Sequence, residues 1–145
     1  MWSSFLVLSL LFRCFHALTE DELRLQISRA VMKCNEAAGV PVAELLKMQS
    51  NKAPTGTDAK CVLACAQKAI GAMTKDGLYD LDHAYKVAEQ MKNGDEKRVV
   101  NAKKLADICV KVNDVKVSDG NKGCERAALI FKCTIDNAQK FGFKV

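Results

Sequence analysis

Apolar residues recur at three- and four-residue intervals through most of the chain, the period of helices that bury one face. Leu23, Ile27, Ala30, Cys34 and Ala37 form the first such stripe. Thr19 with Glu22 three residues on reads as a capping box before it, and Gly39 then Pro41 end it. Pro41 is suited to open a short second helix through Ala43, Leu45, Leu46 and Met48. The stretch from Ser50 to Thr57 holds Asn51, Pro54 and Gly56 and reads as a loop. A third helix is expected from about Asp58. Its segment Cys61 to Ala66 is apolar on every side, so it should be buried and central. Asp76-Gly77 marks a turn. Asp80 then caps a fourth helix with the stripe Leu81, Ala84, Tyr85, Ala88 and Met91. Asn93-Gly94 breaks the chain, and Asp95 caps a fifth helix with Ala102, Leu105, Ala106, Cys109 and Val112 inward. Asn113 to Gly123 reads as a loop, because Val115 and Val117 alternate too briefly to establish a strand. A sixth helix is expected from about Asn121 to Lys140, followed by a short apolar tail, Phe141 to Val145. The predicted class is all-α, with about six helices.

One apolar run stands outside this pattern. Phe5 to Phe12 is apolar except for Ser9. It is far short of the ~20 residues that span a bilayer and suits the core of a signal peptide. Cleavage is expected after Ala17, giving a leader of residues 1–17 and one domain over residues 18–145. The protein is then expected to be secreted and extracellular, with no stable membrane insertion.

Charge changes the picture little. The chain has 22 basic and 17 acidic residues, net +5. The lysines look scattered, and no basic run is interleaved with aromatics, which argues against nucleic acid.

Cysteine changes it most. Beyond Cys14 in the leader there are six: Cys34, Cys61, Cys65, Cys109, Cys124 and Cys133, separated by 26, 3, 43, 14 and 8 residues. An even count in a short secreted chain reads as a disulfide framework. Cys61 and Cys65 share a helix face, whereas Cys124 and Cys133 lie 2.5 turns apart, so neither pair closes comfortably on itself. Setting both pairs aside leaves ten of the 15 connectivities open.

At these gaps the chain resembles the six-cysteine insect odorant-binding proteins, which include the pheromone-binding and general odorant-binding proteins. The rigid spacings of that family, three and eight residues, stand here in Cys61-Val62-Leu63-Ala64-Cys65 and from Cys124 to Cys133. The resemblance runs from about Leu18 to Val145. It implies the interlocked pairs Cys34–Cys65, Cys61–Cys124 and Cys109–Cys133, and helices arranged around a hydrophobic cavity. It also implies a non-catalytic carrier for a small hydrophobic molecule, odorant- or pheromone-like, with a membrane receptor as a candidate partner.

Other chemistry has little footing. His83 is the only histidine after the leader, and there is no Cys-x-x-Cys, so no metal site or cofactor is expected. His83, with Asp80 and Asp82 nearby, forms no recognisable catalytic motif, and no enzyme activity is expected. The expected wall of the implied cavity comes from Ile70 and Met73, from Leu81, Tyr85, Ala88 and Met91, and from Leu105 and Ile108. Phe131 and Ile135 complete it, with Phe141 and Phe143 as a lid held by the Val145 carboxylate. Aromatics are scarce, so flexible aliphatic chains with one polar end are the expected ligands. Tyr85 is the expected polar anchor. The rival reading is a secreted saposin-like helical protein that acts on membranes or partners.

Overall fold

The computed structural model describes residues 17–144. The expected leader, apart from Ala17, and the terminal Val145 lie outside the described residues. Six α-helices follow one another: α1 (Glu20–Ala38), α2 (Val42–Gln49), α3 (Thr57–Ala69), α4 (Leu81–Gln90), α5 (Glu96–Cys109) and α6 (Cys124–Ala138). Short 3-10 turns at Val110–Asp114, Gly120–Lys122 and Gln139–Phe141 continue α5, precede α6 and follow it. No strand occurs among the described residues. The all-α expectation is met.

The helix ends form where the polar punctuation placed them. The Thr19 hydroxyl accepts from the Glu22 N–H at 3.1 Å, while the Glu22 carboxylate accepts from the Thr19 N–H at 2.9 Å. Asp80 accepts from the His83 N–H at 2.8 Å, and Asp95 from the Lys97 N–H at 2.9 Å. Asn35 adds a hinge clamp that periodicity does not reveal. Its side chain takes both the N–H and the C=O of Val40 at 2.9 Å, fixing the turn from α1 to α2.

Helix α6 starts at Cys124, later than the expected Asn121, because Gly123 has a left-handed backbone with φ of 75°. Gly123 also lies against another glycine: a Cβ built on it would stand 2.9 Å from the Gly77 Cα and 2.8 Å from the Met73 Sδ. Two backbones thus touch where side chains would separate them. The loop before α6 seats on the turn before α4, and the helix begins only once that contact is made.

Helix α3 packs between α1 and α6, α4 packs on α5, and α5 reaches α6. The disulfides Cys34–Cys65, Cys61–Cys124 and Cys109–Cys133 follow the same path. They join α1 to α3, α3 to α6 and α6 to α5 in series, so four of the six helices form one covalent frame. The enclosed separations are 31, 63 and 24 residues. In the loop-entropy picture each bridge stabilises by about 3–4 kcal/mol. The tight core lies in one half of this frame. Val62, Leu63 and Ala64 of α3 meet Leu45 and Met48 of α2, Ala127 and Ile130 of α6, and Val40 and Met73 from the loops.

A buried cation closes the same half. Arg126 of α6 is only 6% exposed. Its guanidinium donates to the Val112 carbonyl and, at 2.9 Å, to the Val115 carbonyl. These lie at the end of the continuous α5 and 3-10 segment, where the helix dipole is negative, so the charge is offset without a carboxylate. Asn113 works alongside it, bonding both the N–H and the C=O of Tyr79, at 2.8 and 3.1 Å.

Candidate ligand-binding site

The other half is built differently. Helix α1 packs extensively only on α3. Its stripe residues Leu23, Ile27, Ala30, Val31 and Cys34 are half-buried, Ala37 is exposed, and none of its 19 residues is buried. On α4 only Ala88 is buried, and Leu81, Ala84, Tyr85 and Val87 stay half-buried. Ala102 and Leu105 of α5, and Phe131 and Ile135 of α6, share that state. Apolar stripes on four helices therefore stay half-buried, without the close packing that seals α3, although Val31, Cys34 and Phe131 lie against the edge of that core.

The twelve expected wall residues divide under this geometry. Ile70, Leu81, Leu105, Phe131, Ile135, Phe141 and Phe143 are half-buried, Phe131 against the edge of the sealed core. Met73 is not: at 2% exposure it is packed into the tight core beneath Gly123. Ala88 and Met91 are also closed off by their neighbours, at 2% and 7%. Ile108 is exposed on the outer face of α5, so it belongs to the surface. Conversely, Leu23 and Ile27 join the half-buried set. Their stripe was legible, but nothing in periodicity tells how closely another helix approaches it.

The expected polar anchor, Tyr85, is bonded at the surface. The Tyr85 hydroxyl donates to the exposed Asp107 carboxylate, and the Lys103 Nζ stands 5.4 Å above its ring. The hydrogen bond to Asp107, with partial burial and nearby Asp82, pushes the Tyr85 phenol above its ordinary pKa. This hydroxyl is committed to the surface seam between α4 and α5. The other phenol, Tyr79, packs against the edge of the sealed core. Burial, helped by Asp107, Asp80 and Tyr85, pushes it up to about 12. Its hydroxyl has no hydrogen-bond partner among the described residues and is free to meet one.

His83 is half-buried, and its ring lies flat against Gly71. A Cβ built on Gly71 would stand 2.7 Å from the His83 Cε1, and Gly71 has φ of 85°. The histidine therefore packs on bare backbone at the start of α4.

The tail runs between α5 and the start of α1. The Asn101 side chain donates to the Phe141 carbonyl at 3.2 Å, and the Arg98 guanidinium stacks 5.1 Å over the Phe143 ring. Arg98 also pairs with Glu20 of α1, whose other oxygen accepts from the Lys144 N–H at 3.3 Å. Burial alone would raise the Glu20 carboxyl. Arg98 and the Lys144 N–H outweigh it and hold the group below its ordinary 4.5. The tail is thus clasped by side chains of α1 and α5. The expected anchor, the Val145 carboxylate, lies outside the described residues.

Three interlocked bridges on six helices, with a core sealed around α3 and half-buried apolar stripes on α1, α4, α5 and α6, define a disulfide-framed all-α protein. The profile of the PBP/GOBP family matches residues 16–137, and the chain belongs to that family. It is 25% identical over 126 residues to general odorant-binding protein 28a of Drosophila melanogaster, covering 87% of this chain and 85% of that one. The solved structure of odorant-binding protein dmelOBP28a from Drosophila melanogaster superposes with a TM-score of 0.67 at 24% identity, over 86% of this chain and 98% of that one. Proteins of this family are carriers of small hydrophobic molecules rather than enzymes. The saposin-like rival has no support beside this membership.

Proposed function

We propose that the chain is a secreted carrier that encloses an odorant- or pheromone-like molecule between α1, α4, α5 and α6 and moves it through extracellular fluid. One observation carries the reading: α1 has an apolar stripe over 19 residues and buries none of them, in a family of carriers. Apolar side chains left half-covered in a covalent frame are a surface on which a ligand can complete the burial. Each Å² removed from water contributes about 25 cal/mol before the costs of binding. Leu23, Ile27, Leu81, Leu105 and Ile135 favour flexible aliphatic chains, and the free Tyr79 hydroxyl suits a single polar end. The expected leader fits this role. The Leu18 N–H, just after the expected cleavage point, donates to the Gln90 carbonyl at the end of α4 at 3.0 Å.

The test is displacement of a fluorescent hydrophobic probe from the refolded mature protein. C10–C18 aliphatic alcohols and acids should displace it from one saturable site, more tightly than small flat aromatics do. Tyr79→Phe should weaken the alcohols about five-fold and leave alkanes unchanged. Absence of a saturable site, together with leakage of liposomes, would overturn the carrier reading.

A further inference from the structure

The lysines that look scattered in sequence are gathered by α5. Lys97 and Lys104 on its outer face, and Lys111 in the 3-10 turn that extends it, follow one another at seven-residue intervals. Seven residues are close to two helical turns, so the three ammonium groups form a row with steps of about 10 Å. All three side chains are exposed, and none makes an ion pair or hydrogen bond among the described residues. Val100, 49% exposed, and Ile108, 38% exposed, flank the row on either side. Of the carboxylates at its edge, Glu96 pairs with Lys92, Asp107 is bonded to the Tyr85 hydroxyl and to no cation, and Asp114 is exposed. Three unpaired lysines against these two carboxylates leave the face a positive excess.

We infer that this face docks on anionic phospholipid surfaces. Charge complementarity calls for an anionic partner, and the residue types choose among anionic partners. Lysine is a mobile point charge that suits a diffuse headgroup field better than the paired geometry of a carboxylate. Among the described residues, the large hydrophobics exposed on this face are aliphatic and none is an aromatic anchor of the kind that concentrates affinity at a protein interface. Two isolated aliphatic side chains between lysines match a headgroup boundary, where the apolar tips sink and the ammonium groups stay at the phosphates. Docking there would lay the carrier on a membrane by the outer face of a helix whose inner face, at Ala102 and Leu105, meets the proposed ligand space. The inference does not depend on that space being a ligand site.

Flotation of the full mature protein with phosphatidylcholine vesicles containing 30% phosphatidylserine tests it. Binding to these vesicles, absent with pure phosphatidylcholine and lost at high salt, is expected. The variant Lys97→Gln/Lys104→Gln/Lys111→Gln should lose about five-fold per lysine, on the order of a hundred-fold in all. A control triple at exposed lysines elsewhere, Lys33→Gln/Lys52→Gln/Lys75→Gln, should lose under about five-fold. Val100→Ser/Ile108→Ser should weaken binding several-fold without changing its salt dependence. Both triples should retain helix content and probe binding, so this test and the carrier test fail separately. Equal losses in the two triples would mean net charge alone and overturn the inference. So would an absence of anionic-vesicle binding, or tighter binding to an acidic peptide than to the vesicles.

Discussion

Helices α1 and α3 lie side by side and share the Cys34–Cys65 bridge, yet they treat apolar residues in opposite ways. Helix α3 buries Ala59, Val62, Leu63, Ala64, Ala66 and Gln67 among its 13 residues, whereas α1 buries none of its 19. The difference is one of neighbours. Helix α3 is enclosed by α1 and α6 and roofed by α2, but α1 packs extensively on α3 alone, with Val31 and Cys34 against the edge of the core and the rest of its stripe half-covered or exposed. In an unbridged bundle such a half-covered helix would slide inward until its stripe closed. Here α1 is tied to α3, α3 to α6 and α6 to α5, so the frame resists that closure. One half supplies stability and the other keeps apolar surface available.

The largest expected effect compares like with like across the two halves. Leu63 is 2% exposed in the sealed core, and its replacement by alanine should cost ~2–5 kcal/mol, read as a lower denaturation midpoint with an unchanged slope. Ile27, half-buried on α1, should cost only about 1 kcal/mol when made alanine. Ile27→Ala should nevertheless weaken displacement of the hydrophobic probe by long-chain alcohols about ten-fold, while Leu63→Ala, measured where it remains folded, should weaken it little. Equal stability losses at the two sites would mean that α1 is packed after all and that no ligand space adjoins it.

A smaller effect is expected where the sealed half is closed by charge. Arg126→Met keeps much of the apolar stem but leaves the Val112 and Val115 carbonyls without their donor, at a cost of about 2 kcal/mol. Amides of residues 110–117 should exchange faster in this variant, whereas those of α1 should not change. Exchange rising evenly over the whole chain would show that Arg126 supports the frame as a unit and does not pin this segment.

These contrasts mark what could be read from the chain itself. Caps at Thr19, Asp80 and Asp95 were legible because a cap satisfies backbone N–H groups within three residues of itself. Cysteine spacing carried the family and, through it, the pairing. Contacts between distant segments were not legible. Asn35, Asn113 and Arg126 hold backbone groups that no pattern of polarity identifies. The α6 start was set by the Gly123–Gly77 contact, 46 residues apart in sequence and so outside any local signal. Met73 and Ile108 show the limit for the site. A stripe says which side of a helix is apolar, but whether that side meets a sealed core, an open space or water depends on the neighbouring element. The bond of the Tyr85 hydroxyl to Asp107 was illegible for a related reason, since the two lie 22 residues apart.

The smallest expected effect tests the clasp at the end of the open half. Glu20 joins α1 to α5 through Arg98 and to the tail through the Lys144 N–H. Its folded pKa lies below the ordinary 4.5, so its contribution is fully present above that value and is lost as pH falls through the folded one. At neutral pH the wild-type tail should be ordered. Acidification from about pH 5 to pH 3 should raise the mobility of the Lys144 amide and the Phe143 ring in NMR relaxation. Glu20→Gln should cost about 1 kcal/mol and show a mobile tail already at pH 7, with little further change on acidification. Deleting residues 141–145 should weaken probe binding at pH 7 if the tail acts as the proposed lid, and should leave helix content intact, because none of its residues belongs to the sealed core. Had Arg98 alone held the tail, through its stack on Phe143, Glu20→Gln would leave that ring as ordered as in the wild type. An unchanged Phe143 in this variant would therefore remove Glu20 from the clasp, and with it the acid sensitivity of the open half.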